Sequence, residues 1–129
     1  LIHRLDQAAL TDWTKEIQPF MKAQLATGLT IDRLAKSFRL SRTELIARYK
    51  QHFGETIGDT IEMMRREKAS YLLVKTSESL VFISDQLGFK RQSSFSEWFR
   101  SRYQMTPLAF RKQFQQLKLN NENRFVEFF

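Results

Sequence analysis

The chain has 129 residues, 42% of them hydrophobic, with no cysteine and a formal net charge of +7. That length allows one compact domain or two small ones sharing an element, and the missing cysteine excludes a disulfide framework, a thiol nucleophile and Cys-ligated zinc. No apolar run approaches the ~18–20 residues that span a bilayer, and the excess charge favours a polyanionic partner.

Pro and Gly are scarce and strand-like alternation is nearly absent, so the periodicity predicts an all-α protein. A first helix is expected over roughly 12–26, with Trp13, Ile17, Phe20, Met21 and Leu25 on one face. Asp12 is its expected N-cap and Gly28 lies just past its end, while Pro19 predicts either a kink or a start near Gln18. "TIDRLAKSF" opens on Thr30, a good cap, and buries Ile31, Leu34, Ala35 and Phe38. "LSRTELIARYKQHFG" opens on Ser41 with Glu44 three residues later, a capping box, and buries Leu45, Tyr49 and Phe53 before Gly54 ends it.

A long helix is predicted over roughly 57–76, with Ile61, Met64, Ala69, Leu72 and Leu73 as its apolar positions. "KTSES" breaks the pattern, "LVFISDQLGF" makes another short helix ending at Gly88, and "RQSSFSEWFRSRYQ" places Phe95, Phe99 and Tyr103 on an inner face. "TPLAFRKQF" closes with Thr106 as cap and Pro107 in the first helical position.

Two halves of this series are alike. Leu34, Ala35 and Phe38 match Ile83, Ser84 and Leu87; Leu45, Tyr49, Phe53 and Thr56 match Phe95, Phe99, Tyr103 and Thr106. The offset is 49 residues before the turn and 50 after it, so the second turn is one residue longer. The charge follows the repeat. Residues 1–29 hold three basic and three acidic side chains and residues 114–129 two of each, whereas residues 81–113 hold six basic against two acidic.

A short helix, a tight turn and an amphipathic second helix form the helix-turn-helix pattern. The second helix buries one face to stay rigid and presents donors and acceptors on the other, within reach of base edges in a major groove ~12 Å wide. Aromatic residues at helical spacing are core, and exposed Arg and Lys on a helix are ordinarily solvation. The duplication, the localised charge and Gly88 in the turn, where positive φ is needed, together favour nucleic-acid binding.

The segment "ISDQLGFKRQSSFSEWFRSRYQMTPLAFRK" resembles the C-terminal signature of the AraC/XylS family of bacterial transcription regulators. The matching residues are Ile83, Gly88, Phe89, Ser93, Phe95, Phe99, Arg100, Thr106, Pro107, Phe110 and Arg111. The first unit is similar but weaker, and the resemblance covers about residues 15–113. Ser84 stands where the family has Ala. Gln104 stands where it has Gly, so a different turn geometry is expected there. Thr56-Ile57 replaces its Thr-Pro, and Ala47 and Glu97 occupy a position often basic.

The resemblance implies a domain of about seven helices, with two homeodomain-like helix-turn-helix subdomains joined by a long linking helix. It places the end of an upstream linker at 1–11 and the DNA-binding domain at 12–113. Within the domain lie a first helix-turn-helix about 30–54, the linking helix about 57–76, a second helix-turn-helix about 81–104 and a closing helix about 106–113. A C-terminal tail occupies 114–129. Both recognition helices would enter successive major grooves of double-stranded DNA, about one helical turn apart.

The first exposed recognition face would be Arg42, Thr43, Ile46, Ala47 and Lys50, and the second Arg91, Gln92, Ser93, Ser96, Glu97 and Arg100. Base reading is assigned to Arg42, Thr43, Ile46, Gln92, Ser93, Ser96 and Glu97. Phosphate contacts are assigned to Lys50, Arg91, Arg100, Arg111 and Lys112.

Other expectations follow. His3 and His52 have no partner pattern for metal or nucleophile chemistry, so no enzyme activity, metal or cofactor is expected; alkyl transfer of the kind some relatives perform needs a Cys the chain lacks. The competing readings are a basic helix on a membrane surface and a protein-interaction bundle of the same fold with weak or no DNA binding, the latter favoured by Glu97. Opening on Leu1 rather than Met, the chain is expected to be a fragment of a cytoplasmic regulator. Its N-terminal sensor would be an effector-binding domain or a histidine-kinase/receiver assembly. RNA polymerase is an expected partner, a homodimer of the full-length protein is left open, and no membrane contact is expected. The apolar tail residues Phe125, Val126, Phe128 and Phe129 are expected to pack on this chain or on a neighbouring copy.

Overall fold

The computed structural model describes the backbone of residues 2–127 and the side chains of residues 13–117. Among the described residues there are seven α-helices and no strand: α1 (Ile2–Ala23), α2 (Ile31–Ser37), α3 (Arg42–Phe53), α4 (Ile57–Lys75), α5 (Leu80–Gln86), α6 (Gln92–Tyr103) and α7 (Pro107–Glu127), with a 3₁₀ turn at Leu25–Thr27. No described helix is long and apolar enough to cross a membrane. The chain divides into two compact units, one ending at Arg66 and the other beginning at Glu67, both within the continuous α4.

In the first unit, Trp13, Ile17 and Met21 of α1, Leu34 and Ala35 of α2, Leu45 and Tyr49 of α3, and Ile57 of α4 form the core. In the second, the core is Ala69 and Leu73 of α4, Ile83 and Leu87 in and beside α5, Phe95 and Phe99 of α6, and Phe110 of α7. The predicted inner faces are therefore the buried ones. Phe20, Ile31, Phe38, Phe53, Ile61, Met64, Leu72 and Tyr103 are half-buried at their margins.

The helix ends follow the cap chemistry. Thr30, Ser41, Ser79 and Thr106 each accept from the backbone N–H three residues on, which gives an otherwise unpaired donor of the first turn a partner. Thr56 and Asp59 do so reciprocally: Asp59 N–H donates to Thr56 Oγ1 at 3.0 Å and Thr56 N–H to Asp59 Oδ2 at 3.4 Å.

The repeat extends to three dimensions. The pattern of buried and exposed residues over 41–60 recurs over 91–110 and differs only at Ile46 and Ser96. The extra residue of the second turn is Lys90, just before the N-cap residue Arg91. Each unit needs the left-handed backbone region twice, once inside its turn and once after its second helix. The first unit meets this with Arg39 (φ 57) and Gly54 (φ 75), the second with Gly88 (φ 83) and Gln104 (φ 55).

Gln104 therefore does not alter the turn, contrary to expectation. Its N–H bonds Arg100 O at 2.8 Å, as Gly54 N–H bonds Lys50 O at 2.9 Å. A side chain in this region is strained, because its Cβ crowds the backbone. Gln104→Gly should accordingly raise stability by about 0.5–1 kcal/mol. Denaturant unfolding would measure it, and a loss of stability would mean that the Gln104 side chain supplies an interaction outweighing its strain.

Two further expectations are corrected. Helix α1 begins at Ile2 and passes through Pro19, so Asp12 lies inside it and is no N-cap. Pro19 and Lys15, the residue whose carbonyl loses its helical donor, are both exposed, and water can replace the lost bond. Helix α7 continues to Glu127 instead of closing near residue 113, because no Pro or Gly interrupts 114–127. The side chains of Phe125 and Val126, and all of Phe128 and Phe129, lie outside the described residues.

Candidate nucleic-acid interface

On α3 the side chains of Leu45 and Tyr49 are buried, and Arg42, Thr43, Ile46, Ala47 and Lys50 are exposed on the opposite side at helical spacing. On α6 Phe95 and Phe99 are buried, and Gln92, Ser93, Glu97 and Arg100 are exposed on the matching side. Ser96 is half-buried, where its counterpart Ile46 is 42% exposed. The two faces thus share one geometry and differ in every side chain. Arg42 corresponds to Gln92, Thr43 to Ser93, Ile46 to Ser96, Ala47 to Glu97 and Lys50 to Arg100.

Each face is held by its own unit in a different way. Behind α3 a polar chain runs from Gln18 Nε2, which donates to Tyr49 Oη at 3.0 Å, to Thr60 Oγ1, which accepts from Tyr49 at 2.7 Å and donates to Glu55 Oε1 at 2.9 Å. Behind α6 the places of Tyr49 and Thr60 are taken by Phe99 and Phe110, while the Tyr49–Phe53 ring pair, 4.4 Å between centroids, is kept as Phe99–Tyr103. Phe99 lies 5.2 Å from Phe110 and 4.3 Å from Tyr103 between centroids. Ser84, where the first unit has Ala35, is buried and donates to Arg91 O at 3.2 Å, so it ties α5 to the start of α6.

The starts of the two exposed helices also differ. Ser41 caps α3, whereas Arg91 occupies the N-cap of α6 without a side-chain cap bond. An Arg there lacks the acceptor that a Ser supplies and sets a cation at the positive end of the helix dipole. Lys90 and Arg91, both exposed, nevertheless stand at this position.

The structure separates the expected phosphate contacts. Arg91 and Arg100 are exposed at α6, Lys112 is exposed on α7, and Lys50 is exposed on α3 with Nζ 3.3 Å from Gly54 O. Arg111 is placed otherwise. Its Nε donates to Leu73 O at 2.9 Å and its Nη2 to Leu72 O at 3.3 Å and Thr76 O at 3.5 Å. It satisfies the open carbonyls at the C-terminal end of α4, where a cation also complements the helix dipole, and its assignment to phosphate is withdrawn.

Other cations have local partners. Arg48 lies 3.6 Å from Glu44 one turn away, and the Arg102 guanidinium stands 5.8 Å over the Trp98 ring. Burial lowers the Arg65 pKa on α4, with Glu62 opposing the shift. No group of three His, Cys, Asp or Glu side chains that could hold a metal occurs among the described residues. Two residues that matter here carried no signal in the sequence. They are Ser84, noted as the repeat partner of Ala35 and as a departure from Ala but with no sign of its bond to Arg91 O, and Asp32, whose Oδ1 lies 3.3 Å from Arg42 Nη1.

The model of a helix-turn-helix domain family matches residues 34–113. The xylose operon regulatory protein of Escherichia coli K12 is 30% identical over 107 residues, which are 82% of this chain and 27% of that protein. A solved transcriptional regulator from Chromobacterium violaceum, described as containing an AraC-type DNA-binding domain, is 31% identical with a TM-score of 0.65. That match covers 86% of this chain and 96% of the other. The C-terminal domain of the two-component response regulator yesN from Fusobacterium nucleatum is 28% identical with a TM-score of 0.69, covering 78% and 98% of the two chains. The chain thus spans about a quarter of the length of the curated relative and nearly the whole of the two solved chains.

Proposed function

The chain belongs to the AraC-type helix-turn-helix family, and from that membership we propose that it is the sequence-specific double-stranded DNA-binding part of a longer transcription regulator. The observation that carries this reading is the pair of matched faces on α3 and α6, alike in exposure at every position but Ile46/Ser96 and different in chemistry. Such a chain reads two unlike half-sites in successive major grooves, so its target is not a palindrome.

Thr43, Ile46 and Arg42 read one half-site, and Gln92, Ser93, Glu97 and the half-buried Ser96 the other. Arg suits guanine, Gln suits adenine, Glu accepts from cytosine N4, and Ile touches a thymine methyl. Lys50, Arg91, Arg100 and Lys112 serve phosphates. The uncapped α6 start favours this assignment, because Arg91 there gives up helix stability that a Ser would supply.

A sensor domain, contact with RNA polymerase, a homodimer of the full-length protein and a cytoplasmic setting belong to the whole regulator.

Arg100→Ala and Glu97→Ala test the assignment together. Loss of Arg100 should weaken binding to all duplexes by a similar factor and lower the salt slope by about one unit. Loss of Glu97 should relax preference at one base pair by about 1–3 kcal/mol and raise affinity for scrambled DNA, since a negative charge leaves the phosphate field. Both variants are measured on a selected site and on scrambled DNA over a salt series. A change of preference in Arg100→Ala but not in Glu97→Ala would exchange the two roles. Absence of salt-dependent binding in the unaltered chain would favour the protein-interaction reading instead.

A further inference from the structure

Asp32 is the second residue of α2 and Arg42 the first of α3, and Asp32 Oδ1 meets Arg42 Nη1 at 3.3 Å across the turn. The side chains are 72% and 57% exposed, so this is no core tie, and an exposed ion pair adds little to stability. The second unit bears this out. Val81 occupies the position of Asp32 and Gln92 that of Arg42, both partners being replaced together. The caps Thr30 and Ser79, and the buried pairs Leu34/Ile83 and Leu45/Phe95, keep their roles in the two units. The helix-turn-helix unit therefore forms without the ion pair, which accompanies an Arg at this position and not a Gln.

A free Arg side chain is rich in rotamers, and a bidentate contact with guanine needs one of them. A carboxylate on Nη1 leaves the second Nη1 hydrogen, Nη2 and Nε available to acceptors such as guanine O6 and N7. The same carboxylate lies near the DNA phosphates in any pose that brings Arg42 to a base, and there it repels them.

We propose that Asp32 is a positioning residue that fixes the Arg42 guanidinium for bidentate reading of a guanine in the half-site of α3. The proposal rests on the reading of α3 as a groove-entering helix. It gives Asp32 two effects of opposite sign: it sharpens base preference and weakens non-specific affinity.

The test uses Asp32→Ala, Asp32→Asn, Arg42→Ala and the double variant Asp32→Ala/Arg42→Ala. Each is checked for native circular dichroism and then measured on a selected duplex, on its single-base variants and on scrambled DNA. Arg42→Ala should lower guanine preference at one base pair by about 5- to 150-fold. Asp32→Ala should lower it at that same base pair by about 3- to 10-fold, while affinity for scrambled DNA rises. Asp32→Asn, which keeps an acceptor of the same shape, should retain part of the preference. The double variant should discriminate no worse than Arg42→Ala alone, since the two side chains act as one unit. If Asp32→Ala tightens binding to every duplex equally and preference is unchanged, Asp32 merely competes for the cation and the proposal is overturned. If Arg42→Ala alters preference at no base pair, the reading of α3 fails first and the role of Asp32 falls with it.

Discussion

Phe99→Ala is expected to cost about 3–5 kcal/mol of stability. The Phe99 ring is fully buried and lies 4.3 Å from Tyr103, 5.2 Å from Phe110, 6.0 Å from Phe95 and 6.4 Å from Trp98 between centroids. Truncation removes the ring's transfer free energy and leaves a cavity walled by four other rings, which collapse poorly because each is fixed by further neighbours. Domain stabilities of ~5–15 kcal/mol leave little margin for such a loss. Gln92→Ala, on the exposed side of the same helix, should stay within about 0.5 kcal/mol of the unaltered chain and weaken specific binding only. Urea unfolding of the two variants side by side distinguishes the faces. Equal losses would mean that α6 is rotated about its axis relative to the assignment made here.

Ala69→Pro is expected to cost about 3 kcal/mol or more. Ala69 sits in the interior of α4 with no exposed surface, so a proline there loses a helical N–H and drives its ring into the preceding turn within a packed core. The effect reaches both units, because α4 supplies Ile57 to the first core and Ala69 and Leu73 to the second. Far-UV circular dichroism and the melting temperature check it. An unchanged spectrum and melt would contradict a continuous helix over Ile57–Lys75.

What could be read in the sequence was local chemistry. Thr30, Ser41 and Thr106 have side-chain oxygens that can reach only their own helix starts, Gly28, Gly54 and Gly88 mark turns of positive φ, and Leu45/Tyr49 and Phe95/Phe99 repeat at helical spacing. Such features depend on a few neighbouring residues and survive into the fold. What could not be read depended on distant partners. Arg111 looks the same in sequence whether it faces a phosphate or the carbonyls of Leu72 and Leu73, 39 and 38 positions away. Gln104, aligned with Gly54 by the repeat, does not by its residue type show that the turn keeps its positive φ with a side chain in place, and Asp32 gains interest only when α2 and α3 fold back on each other. The run of α1 through Pro19 was hidden because proline propensity is local, whereas exposure of the broken hydrogen bond is set by the tertiary fold.

Selection of bound duplexes from a random pool bears most directly on sequence-specific reading by the two faces. The unaltered chain should return a non-palindromic consensus of two half-sites about one helical turn apart. Thr43→Ala and Ile46→Ala should change preference in one half only, and Gln92→Ala and Ser93→Ala in the other half only. A pool without a consensus, or variants of α3 and α6 that change the same half, would contradict it.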